Sequence, residues 1–289
     1  MSFALKKIID LISNVTFWRG VIALVGFIII WELCSKYYPM LTEYYGIFDE
    51  TGHTKGKPSS IPWIGKVPPP TEVLAAWAEV FFLPGYWESW WMSTSRVFAG
   101  FMIAQVIGIP FGLLLAVNKY FRDIFFPPFE ILRPIPPLAW VPASIIFWPT
   151  TEMSIAFVTF LGAFFTIVIN VLGGARSIDV RYLRAAQSMG ASQWNLFSKI
   201  ILPGTLPSIF TGAAVGMGIT WEVVLAGEMI SGGGMQGGGG LGFFIWSSYM
   251  GGTVATVIVG MISIGIAGYL SSSLIRFIGD HSMPWRKLF

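Results

Sequence analysis

"RAAQSMGASQWNLFSKIILPG", residues 184–204, separates two of the most apolar runs of the chain, 153–172 and 207–230. The chain has 289 residues, of which 54% are hydrophobic and 11% charged. A typical soluble domain has about 25% charged residues. So little polar surface cannot cover a water-soluble globule, so the chain reads as an all-α polytopic membrane protein. Its 13 Trp and 24 Phe fit aromatic belts at the membrane interfaces. The small-sided, basic stretch at 184–204 then marks a place where the chain leaves the membrane.

Working outward, a spanning helix needs about 20 mostly apolar residues. Six segments qualify: 18–34, 95–117, 124–148, 153–172, 207–230 and 251–275. Lysine and arginine set their orientation. With the N-terminus inside, the inner segments 1–19, 118–123, 173–206 and 276–289 hold 12 of the 18 basic residues. Both termini are therefore expected to be cytoplasmic. Lys6 and Lys7 precede the apolar run 20–30 with no small-x-small cleavage site, so this segment reads as an uncleaved first span. The expected organisation is a tail and first span at 1–36, an outer loop with a surface helix at 37–90, a core at 91–277 and an inner tail at 278–289. Within the outer segment, residues 56–73 are rich in proline and lysine. Residues 71–82 follow as a helix with Thr71 as N-cap and Val73, Leu74, Trp77, Val80 and Phe81 at helical spacing.

The inner loop 173–206 is the only one long enough to fold into something. Residues 179–189 predict a short helix with Tyr182, Ala185, Ala186 and Met189 on one face, and Arg181, Arg184 and Ser188 turned away. Gly190 supplies the stop. Ser192 can cap a second helix over 193–201, and Pro203 and Pro207 then mark the turn back into the membrane. An alanine face lets another backbone approach closely but carries too little apolar area to fold alone. It needs a host groove, in this chain's own membrane part or in a partner at the inner face.

The spacing Ala-Ala-x3-Gly-x9-Ile-x-Leu-Pro, on Ala185, Ala186, Gly190, Ile200, Leu202 and Pro203, resembles the EAA motif of permease subunits of binding-protein-dependent ABC importers. "LRPIPPLAWVPASIIFW" (132–148), "GAFFTIVINV" (162–171), "LPSIFTG" (206–212) and "GGGLGFFIW" (238–246) are similar to the nitrate/sulfonate/bicarbonate/taurine branch of that family. The likeness runs from about residue 68 to 277 and implies a type I importer permease in a bacterial inner membrane. It also implies that 173–206 is a coupling loop seated in a separate ATPase, which binds ATP and magnesium; no cofactor is expected in this chain. A periplasmic or lipid-anchored binding protein would deliver a small anion or organosulfonate to a permease homodimer. The family usually has Glu where this chain has Arg184. Either the charge facing the ATPase is reversed here, or the contact rests on helix packing.

Charges inside spans cost about 2.5–3.5 kcal/mol each on insertion scales and tend to be functional. Glu222, Glu228, Arg96, Gln105, Glu130 and Arg133 are therefore candidates for the translocation path. Glu130 and Arg133, three apart, read either as a structural ion pair or as a gate. Six prolines between 127 and 142 exclude a straight lipid-facing third helix. Broken backbone at membrane depth survives only inside protein or against a cavity. Glycines such as Gly108, Gly112, Gly212 and Gly216 read as helix-packing positions. The run "GGGMQGGGGLG" (232–242) has no lysine to reach a phosphate and is read as an outer loop rather than a nucleotide site. The single cysteine, Cys34, and the two distant histidines, His53 and His281, offer no metal site. Nothing arranges a catalytic centre, and nucleic acid is not an expected partner. The rival classes are an ion-coupled secondary transporter, which should repeat its spans around midplane carboxylates, and a membrane enzyme acting on lipid.

Overall fold

The computed structural model of the chain describes residues 15–44, 67–230 and 239–285. Among these every regular element is helical. Residues 56–66 of the proline- and lysine-rich stretch, His53, and residues 232–238 of the glycine-rich run lie outside the described residues. Five helices are long and apolar enough to cross a membrane. The described residues divide into two compact units. One holds those up to Phe82 together with Gly251–Val259, and the other holds Leu83–Met250 together with those from Gly260 onward.

In the first unit, α1 (Val15–Tyr44) leaves nearly all of its apolar surface uncovered: Ile22, Phe27 and Ile30 are each more than 60% exposed. That suits a helix whose solvent is lipid. α2 (Pro70–Phe81) is the expected surface helix, with Val73 and Val80 buried and Leu74 and Phe81 exposed. Its cap differs from expectation. Pro69 is the N-cap and Pro70 starts the helix, because proline's fixed φ suits the first turn and its missing donor is not needed there. Thr71 lies inside that turn. Its backbone N–H and hydroxyl donate to the Glu32 carboxylate of α1 at 3.2 and 2.9 Å, and Lys36 pairs with the same carboxylate. An anion at a helix N-terminus is favourable, so Glu32 does the work expected of a cap from another helix.

The second unit is built on three long helices: α3 (Pro84–Val117), α6 (Thr151–Arg176) and α9 (Leu202–Ile230). α6 packs extensively on both α3 and α9, which touch each other less. Small residues permit the approach. A Cβ on Gly100 would lie 2.7 Å from Thr159 Cβ, and one on Gly112 would lie 2.9 Å from Val171 Cβ. On the α9 side, a Cβ on Gly212 would lie 2.7 Å from Asn170 Cβ, and one on Gly216 would lie 3.4 Å from Ala163 Cα. Asn170 thus packs against a glycine, its amide donating to the Thr166 carbonyl at 2.8 Å.

The proline-rich third segment is not one helix. α4 (Lys119–Leu132) ends ahead of Pro134. A 3-10 turn (Pro137–Trp140) and a short helix, α5 (Val141–Phe147), follow. Pro134, Pro136 and Pro137 each lack a donor, so the ladder cannot run through them. The break itself is not enclosed by this chain: Arg133, Pro134, Pro136, Leu138 and Ala139 are exposed, and burial resumes only with α5. Val141 is buried against Val158 and Val223, and Ser144 Oγ lies 2.6 Å from Ser154 Oγ. α4 packs its phenylalanines into a cluster with Phe111 and Phe164 around Leu115, Val168 and Leu172.

Several boundaries differ from expectation. The second span starts at Pro84, eleven residues before 95. The fifth does not turn at Pro203 and Pro207; the helical path runs on from Gln193 to Ile230. A π turn over Phe197–Ile201 widens the ladder just ahead of Pro203, and Pro203 falls in the first turn of α9, where a missing donor is tolerated. The segment after the glycine run forms helix α10 (Leu241–Met250), which was read as loop. α11 (Val254–Ser282) follows.

The seam gives a direct test. Gly212→Val forces Asn170 aside and should destabilise the purified protein by about 1–3 kcal/mol, as overpacking does. Gly173→Ala, with nothing within 4 Å of its Cβ, should be neutral or stabilising by up to about 1 kcal/mol. Thermal unfolding in detergent reads both, and an equal response from the two variants would contradict the seam.

Candidate functional site

Two constructions stand at opposite ends of the α6–α9 pair. The first is the connection from Ser177 to Ile201. α6 closes with Ser177 N–H on the Gly173 carbonyl. Asp179 then caps α7 (Val180–Ser188): its Oδ1 accepts from Arg181 N–H at 2.8 Å and its Oδ2 from Arg181 Nε at 2.7 Å. The Arg181 guanidinium and backbone N–H hold the Asp179 carboxyl below the usual carboxylate range. Gly190, at φ 78°, ends the helix. Its N–H donates to the Gln187 carbonyl at 2.9 Å and Ala191 N–H donates to the Ala186 carbonyl at 3.0 Å, which is a Schellman closure. Ser192 Oγ accepts from Asn195 N–H at 3.3 Å and caps α8 (Gln193–Leu196).

Both ends of α7 are therefore built, yet none of its nine residues is buried. Tyr182 is 67% and Met189 87% exposed. Ala185 and Arg184 are exposed and Ala186 half-buried. Arg184 forms no ion pair among the described residues, whereas Arg181 is held by Asp179. Ile200, Leu202 and Pro203 are half-buried at the root of the connection. There the two legs close on each other: Gly204 faces Ile178, and Gly174 faces Ser208 and Thr205.

The second construction is a buried charge cluster at the far end. Glu228, near the end of α9, has no exposure, and Arg96 of α3 has 4%. Arg96 Nη1 donates to Glu228 Oε1 at 2.9 Å. The same guanidinium grips Glu152 of α6, with Nε on Oε2 at 2.9 Å and Nη2 on Oε1. Ser93 Oγ lies 2.8 Å from each Glu228 oxygen and donates to the carboxylate. The same oxygen accepts Leu241 N–H at 2.8 Å, and Glu228 Oε2 accepts Gly242 N–H at 2.8 Å. Glu228 and Ser93 thus satisfy the first N–H groups of α10. A Cβ on Gly240 would fall on the Glu228 carboxylate, and one on Gly242 would lie 2.9 Å from Glu228 Cβ. These two glycines let a carboxylate reach backbone, which explains part of a run whose sequence suggested only a loop.

Of the residues expected on a path, Arg96 and Glu228 face each other inside protein. Glu130 and Arg133 pair at 2.5 Å on a half-exposed face. The Gln105 side-chain nitrogen is buried with no hydrogen-bond partner. Glu222 is exposed and lines an open groove between α9 and α11 with Gly218, Leu225, Gly265 and Tyr269. Ser93 and Glu152 were missed. They lie 135 and 76 residues from Glu228 in sequence, and no local pattern marks such partners. Among the described residues no cluster could hold a metal ion.

Comparison with known proteins gives the family. Residues 108–287 match the model of the binding-protein-dependent transport system inner membrane component family, and the chain belongs to that family. It is 35% identical over 192 residues to the nitrate import permease protein NrtB of Leptolyngbya laminosa, covering 66% of this chain and 67% of that one. It is 32% identical over 226 residues to the taurine transport system permease protein TauC of Escherichia coli, covering 76% and 80%. A chain of the inward-facing MetNI methionine ABC transporter superposes with a TM-score of 0.51 at 27% identity, over 68% of this chain and 92% of that one. The chain is thus a multi-pass transport permease with a type I importer fold, not an enzyme, and ATP hydrolysis in such importers belongs to a partner ATPase. The readings as an ion-coupled transporter or a lipid-acting enzyme are not favoured.

The charge cluster predicts a stability effect. Arg96→Met leaves Glu228 buried without its cation, and stranding one partner of a buried pair costs about 3–5 kcal/mol. A thermal midpoint lowered by several degrees in detergent is expected, and an unchanged midpoint would show that the pair contributes nothing.

Proposed function

We propose that two copies of this chain form the translocation pathway of a bacterial inner-membrane importer for a small oxyanion or organosulfonate of the nitrate/taurine class. The observation that carries this is α7, a helix capped at both ends and buried nowhere. A free-standing helix of nine residues is too short to be stable on its own. Finished ends with an uncovered alanine face suit a segment that completes its packing in another protein. The connection 173–206 is then the coupling loop. Ala185, Ala186 and Gly190 meet an ATPase subunit, while Ile200, Leu202 and Pro203 support the root. Arg184 offers that subunit a positive charge.

The broken third segment completes a sixth crossing, which puts both termini in the cytoplasm and the twelve basic residues of the inner segments with them. The binding protein, periplasmic or lipid-anchored, delivers the substrate at the opposite face. ATP binding draws the two ATPases together and the two α7 helices with them. The legs α6 and α9 are in contact nearly to their glycines, so they move as one body and open the cavity outward; hydrolysis resets it. Glu222, in the groove between α9 and α11, faces the pathway or the second copy.

Ala186→Trp fills the alanine face, and Gly190→Pro cannot adopt the positive φ of the helix stop. Both variants should insert normally but lose association with the ATPase, with uptake into vesicles reduced more than tenfold. Uptake at the wild-type rate by both variants would overturn the coupling assignment.

A further inference from the structure

Glu228 stands where three chains of contact meet. It is carried by α9, which runs from the root of the coupling loop to the far end of the bundle, 29 residues or about 43 Å at 1.5 Å per residue. It is held by Arg96 of α3 at 2.9 Å, and through that guanidinium it is tied to Glu152 of α6. It holds the N-terminus of α10 by Gly242 N–H and, with Ser93, by Leu241 N–H. The glycines at 240 and 242 leave no side chain between the carboxylate and the backbone it binds.

The three partners are not equally releasable. Glu228 is fully enclosed, so separating it from Arg96 or from α10 without water would strand a buried carboxylate. The Glu152 side chain is 55% exposed and can exchange the guanidinium for water. A displacement of α6 and α9 together relative to α3 therefore loosens the Arg96–Glu152 contact first, while α10 stays attached to α9.

We propose that Glu228 is a positioning residue for transport: it fastens α10 to α9, so that movement entering at the coupling loop reappears at α10. This rests on the assignment of residues 173–206 as the ATPase contact. The outward end then responds to nucleotide through a rod and a carboxylate hitch, with Arg96 as its hydrogen-bonded counter-charge.

The test uses the transporter assembled with its ATPase in lipid nanodiscs. Ile245 of α10 is 7% exposed. A thiol introduced there by Ile245→Cys, in a Cys34→Ser background, reports the seating of α10 by its rate of maleimide labelling. The expected result is at least a fivefold difference in rate between nucleotide-free and vanadate-trapped complexes, collapsing to less than twofold when Glu228→Gln is added. Ser93→Ala, which removes one tie to α10 and keeps the ion pair, should at least halve the difference. It also serves if Glu228→Gln fails to assemble. A difference that persists undiminished in either variant overturns the proposal, as does a wild-type rate that ignores nucleotide. Failure of the coupling assignment would look different: the ATPase would not co-purify with the wild-type chain, or Ala186→Trp would leave its association intact.

Discussion

Inside a bilayer, helices gain nothing from leaving water, because the lipid around them is as apolar as their own side chains. What holds them together is close van der Waals contact, and contact of that quality requires small residues at the crossing points. The α6 helix meets this requirement on two sides at once. Gly100 and Gly112 admit it to α3, and Gly212 and Gly216 admit α9 to it. The remaining described elements of that unit are arranged around this trio. The broken third segment lays Val141 on Val158 and Val223. The phenylalanine cluster closes α4 onto the same helices. A bundle fastened this way transmits displacement well, since a shift at one end of α9 cannot be absorbed by soft side chains along its contact with α6.

The same scarcity of water gives the charges their placement. A lone carboxylate at depth would be neutralised or expelled, so Glu228 is tolerated there because Arg96, Ser93 and the Gly242 N–H all donate to it. The glycines flanking Leu241 are part of that arrangement. The run resembles a phosphate-binding one in composition, and Gly242 N–H does bind an anion while Gly240 leaves room for it, but the anion is a side chain of the same protein.

Much of the fold was legible because its signals are local. Apolar length gave the five long helices, and proline density gave the broken segment. The Gly190 and Ser192 stops of the 173–206 connection follow from capping chemistry confined to a few residues. The misreadings share a cause: each concerned a residue whose partner is distant. Thr71 looked like a cap because Glu32, 39 residues away, could not be foreseen. Pro203 and Pro207 looked like a turn because a π turn is not written in propensity. α10 looked like loop because its cap, Glu228, comes from another helix. The Arg96–Glu228 contact spans 132 positions, and no local pattern announces it.

The asymmetry between the two ends of the bundle follows from these facts. At the end with 177–201, polar groups are satisfied locally, by Asp179, Gln187 and Ser192 within their own turns, and an apolar face is left over. At the other end, the Arg96–Glu228 cluster is satisfied through tertiary contact among α3, α6, α9 and α10. A segment whose hydrogen bonds close on themselves can detach and dock as a unit; a cluster whose bonds join four helices can only move if the helices do. The first arrangement is suited to receiving a push from a separate protein, and the second to converting that push into a rearrangement of the bundle itself. That division of labour was set when the few charged residues of a mostly apolar chain were placed: exposed on one short helix at one end, and locked between long ones at the other.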